Sequence, residues 1–123
     1  MADIIATPKA PAAIGPYVQA QVSGNFVFVS GQLGMDPEGN LPADFDTQAR
    51  NSLRNLSAIL EEAGSSLSKV LKTTVFLSDL NNFTELNKIY AEYFKAPCPA
   101  RSCFEVARLP KDAMVEIEAI AEK

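Results

Sequence analysis

The sequence predicts an α+β fold in which one mixed β-sheet has two helices on the same face. Stretches rich in β-branched and aromatic residues alternate with two stretches of helical periodicity, in the order β-β-α-β-α-β-β. Each helix connects two strands as a crossover, which places both helices on one side of the sheet. Several strands are apolar on both faces, so we expect other copies of the chain to cover the open face.

The first elements are an extended arm and a hairpin. Residues 6–16 contain three prolines and a glycine, which exclude a helix and predict an ordered, extended arm. Residues 17–22 predict a short strand, and a tight turn at 23–25 leads into a second strand at 26–30. That second strand begins Phe-Val-Phe-Val and is therefore apolar on both faces. Residues 31–45 are predicted as loop.

The middle of the chain predicts a helix, a central strand and a second helix. Asp46 or Thr47 can cap a helix that runs to about Ala63, and its apolar residues recur at intervals of four and three. Residues 70–77 are rich in β-branched side chains and predict a central strand. A second helix is predicted for residues 82–94, where apolar and aromatic residues recur at helical spacing, and the two prolines that follow closely end it.

The last stretch predicts two strands joined by a Leu-Pro-Lys-Asp turn at 109–112, and hence a hairpin. It contains Arg101, Glu116 and Glu118 among apolar neighbours, and such charges are rare in apolar strands unless they are paired or used. The hairpin leaves open whether Arg101 and Glu116 share a face of the sheet, because a one-residue shift in the strand register moves a side chain to the opposite face.

Composition limits the function classes. The 123 residues form one domain spanning residues 1–123, with 47% hydrophobic and 21% charged residues, as in ordinary globular proteins. No membrane-length apolar run or targeting pattern is evident, and the two cysteines are a poor disulfide framework, so we expect a cytoplasmic protein without membrane contact. The net charge of −4 disfavours a nucleic-acid partner.

The chain contains no histidine. This excludes a Ser-His-Asp or Cys-His catalytic system and a histidine-ligated zinc site, and two cysteines alone do not make a structural zinc site. The remaining candidates for chemistry are arginine, carboxylates, lysine, tyrosine, serine, cysteine and backbone amides.

Arg101 and the two glutamates are the strongest candidates. The guanidinium of Arg101 can grip a substrate carboxylate with two parallel hydrogen bonds, although an interface ion pair or a solvated edge residue is an alternative. Glu116 and Glu118 project from one strand face about 7 Å apart. Either one could act as an acid or base with a raised pKa, or the two could simply form a polar strand face.

The other candidates have more ordinary alternatives. Cys103 shares the strand face of Arg101, but it has no histidine as a base and is better interpreted as a packing residue or as one that offers backbone groups to a ligand. Gly31, beside Ser30, permits close approach of a ligand or simply forms a turn. Tyr17 could donate a hydrogen bond or pack, and Asn87 is most simply a surface residue.

Six blocks of the sequence resemble the Rid family, also called the YjgF family, and in particular its RidA subgroup of reactive-intermediate deaminases. The resemblance covers essentially the whole chain. The blocks are AIGPY at 13–17, SGQ at 30–32, KTTVF at 72–76, DLN at 79–81, PARSC at 99–103 and EIEA at 116–119.

This resemblance implies a chorismate-mutase-like fold and a homotrimer with three ligand clefts between subunits. It implies cofactor-independent hydrolysis of enamine and imine acids, such as 2-aminoacrylate and 2-iminobutyrate, to 2-oxo acids and ammonia. Pyridoxal-phosphate-dependent dehydratases would release these substrates. The resemblance gives Arg101 the role of carboxylate anchor, with help from the backbone at Cys103, and makes Glu116 the water-activating group with Glu118 in support. The implied cleft residues are Tyr17, Ser30, Gly31 and Asn87.

Two other functions stay open at this point. The family also includes reported endoribonucleases and translation inhibitors, which the acidic composition and missing histidines disfavour here. A non-catalytic, small-carboxylate-binding or chaperone-like trimer would use the same cleft. The chain also departs from the family pattern at Cys98, where members often carry an aromatic residue, so the approach to the cleft can differ in shape.

Overall fold

The computed structural model describes residues 3–123 and contains one six-stranded sheet with two helices. Neighbouring strands follow the order β1-β2-β3-β6-β4-β5 across the sheet; β4 and β5 are parallel and the other pairs antiparallel. This mixed sheet confirms the predicted α+β class. The elements are β1 (Asp3–Ile5), β2 (Ala20–Ser23), β3 (Phe26–Leu33), α1 (Phe45–Glu62), β4 (Val70–Leu77), α2 (Phe83–Tyr93), β5 (Ala100–Glu105) and β6 (Val115–Glu122).

The core lies between α1, α2 and one face of the sheet. The apolar stripe of α1 is fully buried, and alternate residues of β3, β4 and β6 are buried with it, as the periods of a helix and a strand require. The cap of α1 is Asp44, two residues earlier than predicted, because its carboxylate accepts hydrogen bonds from the backbone and hydroxyl of Thr47. Within residues 3–123, no helix has both the length and the apolar character needed to cross a membrane.

The predicted hairpin between the last two strands is wrong. β4 lies between β5 and β6 and pairs with both, in parallel with β5 and antiparallel with β6. The end of β5 and the start of β6 both bond to the end of β4: the Val106 amide donates to the Leu77 carbonyl at 2.9 Å, and the Ser78 amide donates to the Met114 carbonyl at 3.1 Å. The turn at 110–112 therefore belongs to a connection that passes over β4.

The early part of the chain also differs from the prediction. β2 begins at Ala20, so Tyr17 lies in the arm before it, and β1 is a strand that the sequence did not predict. β3 continues through Leu33, because a bulge between Val29 and Gln32 inserts one extra residue and the pairing with β6 then resumes. The predicted turn between β2 and β3 is confirmed, with Ser23 opposite Phe26.

The end of β3 is held against α1 by polar side chains of the helix. Ser52 Oγ donates to the Gln32 carbonyl at 2.8 Å, and Asn55 Nδ2 donates to the Leu33 and Met35 carbonyls. A Cβ atom at Gly34 would overlap the backbone of Gln48, so glycine allows this close approach. The helix thereby fixes the position of the bulge in β3.

The sheet face opposite the helices exposes several apolar side chains. Phe28 lies directly opposite Ile120, and Phe76 meets Phe104 edge to face with ring centroids 5.3 Å apart. Phe26, Phe28 and Phe104 each expose more than two fifths of their surface. Such a concentration of apolar side chains is unusual for the free surface of a monomer.

Candidate functional site

The predicted site residues fall into two groups, which lie on opposite faces of the sheet. The first group surrounds a cavity of about 590 Å³, called here the Glu116 cavity. The second surrounds the guanidinium of Arg101 and is called the Arg101 cluster. The residues of the Glu116 cavity used below are Tyr17, Ser30, Gly31, Lys111, Glu116 and Glu118; those of the Arg101 cluster are Phe83, Asn87, Tyr90 and Arg101.

The bulge of β3 forms one wall of the Glu116 cavity. Ser30 and Gly31 are the two residues between the regular pairs of β3 with β6, and they sit beside Glu116. Ser30 Oγ donates to the Val18 carbonyl at 2.6 Å, and its amide donates to the Gln19 carbonyl at 2.9 Å. These bonds hold the segment that carries Tyr17 against the bulge.

Buried Gln19 organises the extended arm above this cavity. Its Oε1 accepts from the Thr7 amide at 2.7 Å, and its Nε2 donates to the Thr7 and Pro11 carbonyls. The arm has few backbone hydrogen bonds of its own, so this one side chain supplies what a strand partner would otherwise provide. Gln19 was not identified from the sequence. The one feature that could have indicated it is a polar amide side chain at a position of the predicted strand 17–22 that faces the protein interior.

Glu116 is half-buried, and this burial raises the pKa of its carboxyl group, as does the charge of Glu118. Gly31 lies directly beside this carboxylate. A Cβ atom built at Gly31 would lie 2.5 Å from Glu116 Oε2 and 2.9 Å from its carboxyl carbon. The Glu116 carboxylate can therefore occupy this position only because residue 31 is a glycine and has no side chain.

Arg101 is held by neutral groups. Its Nη1 donates to Asn87 Oδ1 at 2.8 Å, and its guanidinium carbon lies 5.5 Å from the ring centroid of Phe83 and 4.9 Å from that of Tyr90. Among residues 3–123, Arg50 and Arg108 form ion pairs with carboxylates, whereas no carboxylate contacts Arg101. Its positive charge is thus available to an anion.

Cys103 lies beside the Arg101 cluster, two residues farther along β5. Burial raises the pKa of its thiol, and the nearby Arg101 charge opposes this only partly. The side chain packs against the hydrophobic core. The raised pKa of the thiol, together with this packing, supports a packing role rather than a nucleophilic one.

The registers of β4 explain why the two groups are separated. Arg101 lies opposite Thr73 on β4, and Glu116 lies opposite Phe76. Directly opposite residues project from the same face, while residues an odd number apart on one strand project from opposite faces. Arg101 therefore faces the helices, whereas Glu116 faces the open side of the sheet. Within one protomer these two side chains cannot contact the same small substrate.

The sequence prediction thus identified residues of both groups, but it did not predict that the two groups lie on opposite faces of the sheet. The structure brings Tyr17, Ser30, Gly31 and Glu116 together at one cavity. It also brings Asn87, which by residue type alone looked like a surface residue, to Arg101. Further residues at these places that the sequence did not single out are Phe83, Tyr90 and Lys111.

Comparison with known proteins identifies the family. The family model described as Endoribonuclease L-PSP matches residues 7–123. The chain belongs to this family. The resemblance to the Rid proteins is confirmed by a solved structure. A protein of the Rid family from Yersinia pestis superposes on this chain with a TM-score of 0.97 and 44% identity over 100% of both chains.

Other members of the family are similar over nearly their full length. The 2-iminobutanoate/2-iminopropanoate deaminase of Escherichia coli K12 is 54% identical over 125 residues, covering 98% of this chain and 98% of that protein. The crystal structure of E. coli TdcF with bound serine has a TM-score of 0.95 and 50% identity, covering 98% of each chain.

Proposed function

We propose that this protein is a cofactor-independent deaminase that hydrolyses small imine and enamine acids to 2-oxo acids and ammonia. The observation that carries the proposal is the half-buried Arg101 guanidinium, which contacts an amide and two aromatic rings but no carboxylate. Such a group suits the carboxylate of an imino acid. The similarity to a 2-iminobutanoate/2-iminopropanoate deaminase supports this substrate class.

The proposed active site lies between subunits of a homotrimer. Arg101 and Glu116 face opposite sides of one sheet, so a site that uses both must take them from neighbouring protomers. The exposed apolar face around Phe28 and Ile120 supports an interface between copies, because burying it would remove apolar surface from water. One protomer would supply the Arg101 cluster, and its neighbour the Glu116 cavity.

The proposed reaction needs one anchor and one base. Arg101 binds the substrate carboxylate and presents the imine carbon to a water molecule near Glu116. The Glu116 carboxylate takes a proton from the water as its oxygen bonds to the carbon of the protonated imine and the C=N π electrons move to nitrogen, giving a neutral tetrahedral amino alcohol. Glu116 then returns the proton to the nitrogen. As the C–N bond breaks, Glu116 takes the hydroxyl proton, the carbonyl forms and ammonia leaves, and the proton passes to the released ammonia. An enamine such as 2-aminoacrylate must first take a proton at its CH₂ carbon to become the imine.

The base role predicts a pH dependence. Activity requires ionised Glu116, so kcat/KM should fall as the pH decreases through the pKa of this group, which burial and Glu118 raise above the ordinary value of 4.5. Replacing Glu118 with glutamine removes the like charge and should move the acidic limb of the pH profile to lower pH. A limb that stays in place in Glu118→Gln would contradict this assignment.

Gly31→Ala tests the position of the carboxylate. The new methyl group would meet Glu116 Oε2 at 2.5 Å and displace it, and a displacement of about 1 Å can lower a rate about 100-fold. We expect a loss of this order in kcat/KM. Ser23→Ala is the control, since Ser23 is exposed on β2 and does not line the Glu116 cavity. Equal activity in Gly31→Ala and the wild type would count against the proposed geometry.

A coupled assay tests the proposed function as a whole. Threonine and a threonine dehydratase generate the imine, and formation of 2-oxobutyrate is followed with and without the purified protein. The proposal expects a clear acceleration. If the protein binds 2-oxobutyrate without any acceleration, a non-catalytic binding protein is the better account.

Ribonuclease activity is a second candidate because the matching family model is described as Endoribonuclease L-PSP. The net charge of −4 and the absence of histidine oppose it physically, since a phosphate backbone is repelled and the usual acid–base side chain is missing. RNA cleavage that copurifies with the protein and is lost in Glu116→Gln would favour this second candidate.

A further inference from the structure

We propose that Phe83 and Tyr90 are positioning residues that hold the Arg101 guanidinium as a preformed receptor for one carboxylate. The inference rests on the proposed function, in which Arg101 binds the substrate. In this inference, α2 determines that the site selects a single, planar anion. The α2 residues that contact Arg101 are all uncharged.

The geometry of α2 brings three different groups to one arginine. Phe83, Asn87 and Tyr90 are spaced by four and three residues, so they lie on one face of the helix. The guanidinium carbon lies over both rings within the distance of about 6 Å at which a cation is attracted to an aromatic face. Asn87 Oδ1 accepts the hydrogen bond from Nη1 at 2.8 Å.

These contacts determine which donors of the guanidinium stay available. Asn87 accepts from one N–H of Nη1, and the two rings restrain the plane of the group. The donors on Nε and Nη2 point along the remaining edge, and this edge matches the two oxygens of a carboxylate. Because the side chain is already ordered, binding does not require the loss of arginine rotamer freedom.

The chemistry of the partners fits an anion receptor better than a structural ion pair. Aromatic faces and an amide oxygen orient Arg101 while leaving its net positive charge intact, whereas a carboxylate would compete with the substrate. Tyr90 is itself fixed, since its hydroxyl lies 2.7 Å from Thr73 Oγ1 and its ring centroid is 4.5 Å from that of Phe94.

The test measures binding of 2-oxobutyrate and of its neutral amide, 2-oxobutanamide, by calorimetry. Phe83→Leu is the main variant, because Phe83 is 37% exposed at the start of α2 and leucine preserves the helix. We expect about tenfold weaker binding of 2-oxobutyrate and no change for the amide. Tyr90→Phe keeps the ring and should retain binding of the anion. Thr84→Ala, an exposed substitution on the same helix, is the control.

Two further measurements separate positioning from simple loss of structure. In an Arg101→Ala background, Phe83→Leu should have no additional effect on binding, because the two residues act through one interaction. In the unliganded protein, the ¹⁵N order parameter of Arg101 Nε should fall in Phe83→Leu and stay unchanged in Thr84→Ala.

The outcomes distinguish this inference from the proposed function. If 2-oxobutyrate binding depends on Arg101 but is equal in Phe83→Leu and the wild type, the positioning role is overturned while the anchor stands. If the wild type does not bind 2-oxobutyrate, the proposed function fails. The order parameter then decides alone whether Phe83 holds the arginine.

Discussion

Replacing Arg101 with alanine is expected to lower kcat/KM for imine hydrolysis by about 100-fold or more while the protein stays folded and oligomeric. In the proposed site, the variant removes two charge-assisted hydrogen bonds to the substrate carboxylate, each contributing about 1.5–3 kcal/mol. The fold should survive because Arg101 is only half-buried and its one hydrogen-bond partner, Asn87, is itself half-buried and can bind water.

The measurement is the coupled dehydratase assay, with light scattering to follow the oligomer. Arg54→Ala is the matched control, because Arg54 is exposed on α1 and distant in the sequence from both groups of site residues. Arg101→Lys keeps the charge but loses the planar pair of donors, so its activity should lie between those of alanine and the wild type. Full activity in Arg101→Ala would remove the anchor from the mechanism.

Replacing Glu116 with glutamine is expected to lower kcat roughly 100- to 10,000-fold, the contribution usual for a positioned acid or base. The KM should change little, since in the proposed mechanism Arg101 and not Glu116 binds the substrate carboxylate. This separation of kcat from KM distinguishes loss of the base from loss of the anchor.

Glu122→Gln is the control for that variant. Glu122 lies on β6 six residues after Glu116, on the same strand face, and is exposed. It should have wild-type kinetics. A Glu116→Gln protein that keeps its kcat would show that some other group activates the water.

Local signals in the sequence predicted most elements of this fold. The residues of β4 were predicted correctly from the first to the last, because a run of β-branched side chains bounded by turn residues permits few alternatives. The apolar period of α1 was equally clear, and only its cap was displaced by two residues. These features depend on neighbours in the chain, which a sequence displays directly.

The error at the last two strands has a different cause. A turn sequence at 109–112 indicates a reversal but does not indicate which strand becomes the neighbour. In the structure β6 pairs with β3 and β4 in the middle of the sheet, while β5 takes the edge. Such pairings are non-local, and no residue within the turn encodes them.

The same limitation applies to the site. Arg101 and Glu116 could be named as chemically unusual strand residues, but their faces follow from the registers with Thr73 and Phe76. Once those registers are known, the three-residue spacing of Thr73 and Phe76 on β4 is enough to place Arg101 and Glu116 on opposite faces. Phe83 and Tyr90 carry no signal of a site in the sequence, because aromatic residues at helical spacing are usually part of a core.

The central claim is that each active site takes Arg101 from one subunit and Glu116 from its neighbour. Mixing inactive Arg101→Ala and Glu116→Gln proteins under conditions that exchange subunits tests it directly. A mixed trimer would contain one site with both native residues, so random mixing of equal amounts should restore about a quarter of wild-type activity. Failure to recover any activity, with mixed trimers present by mass spectrometry, would contradict the shared site.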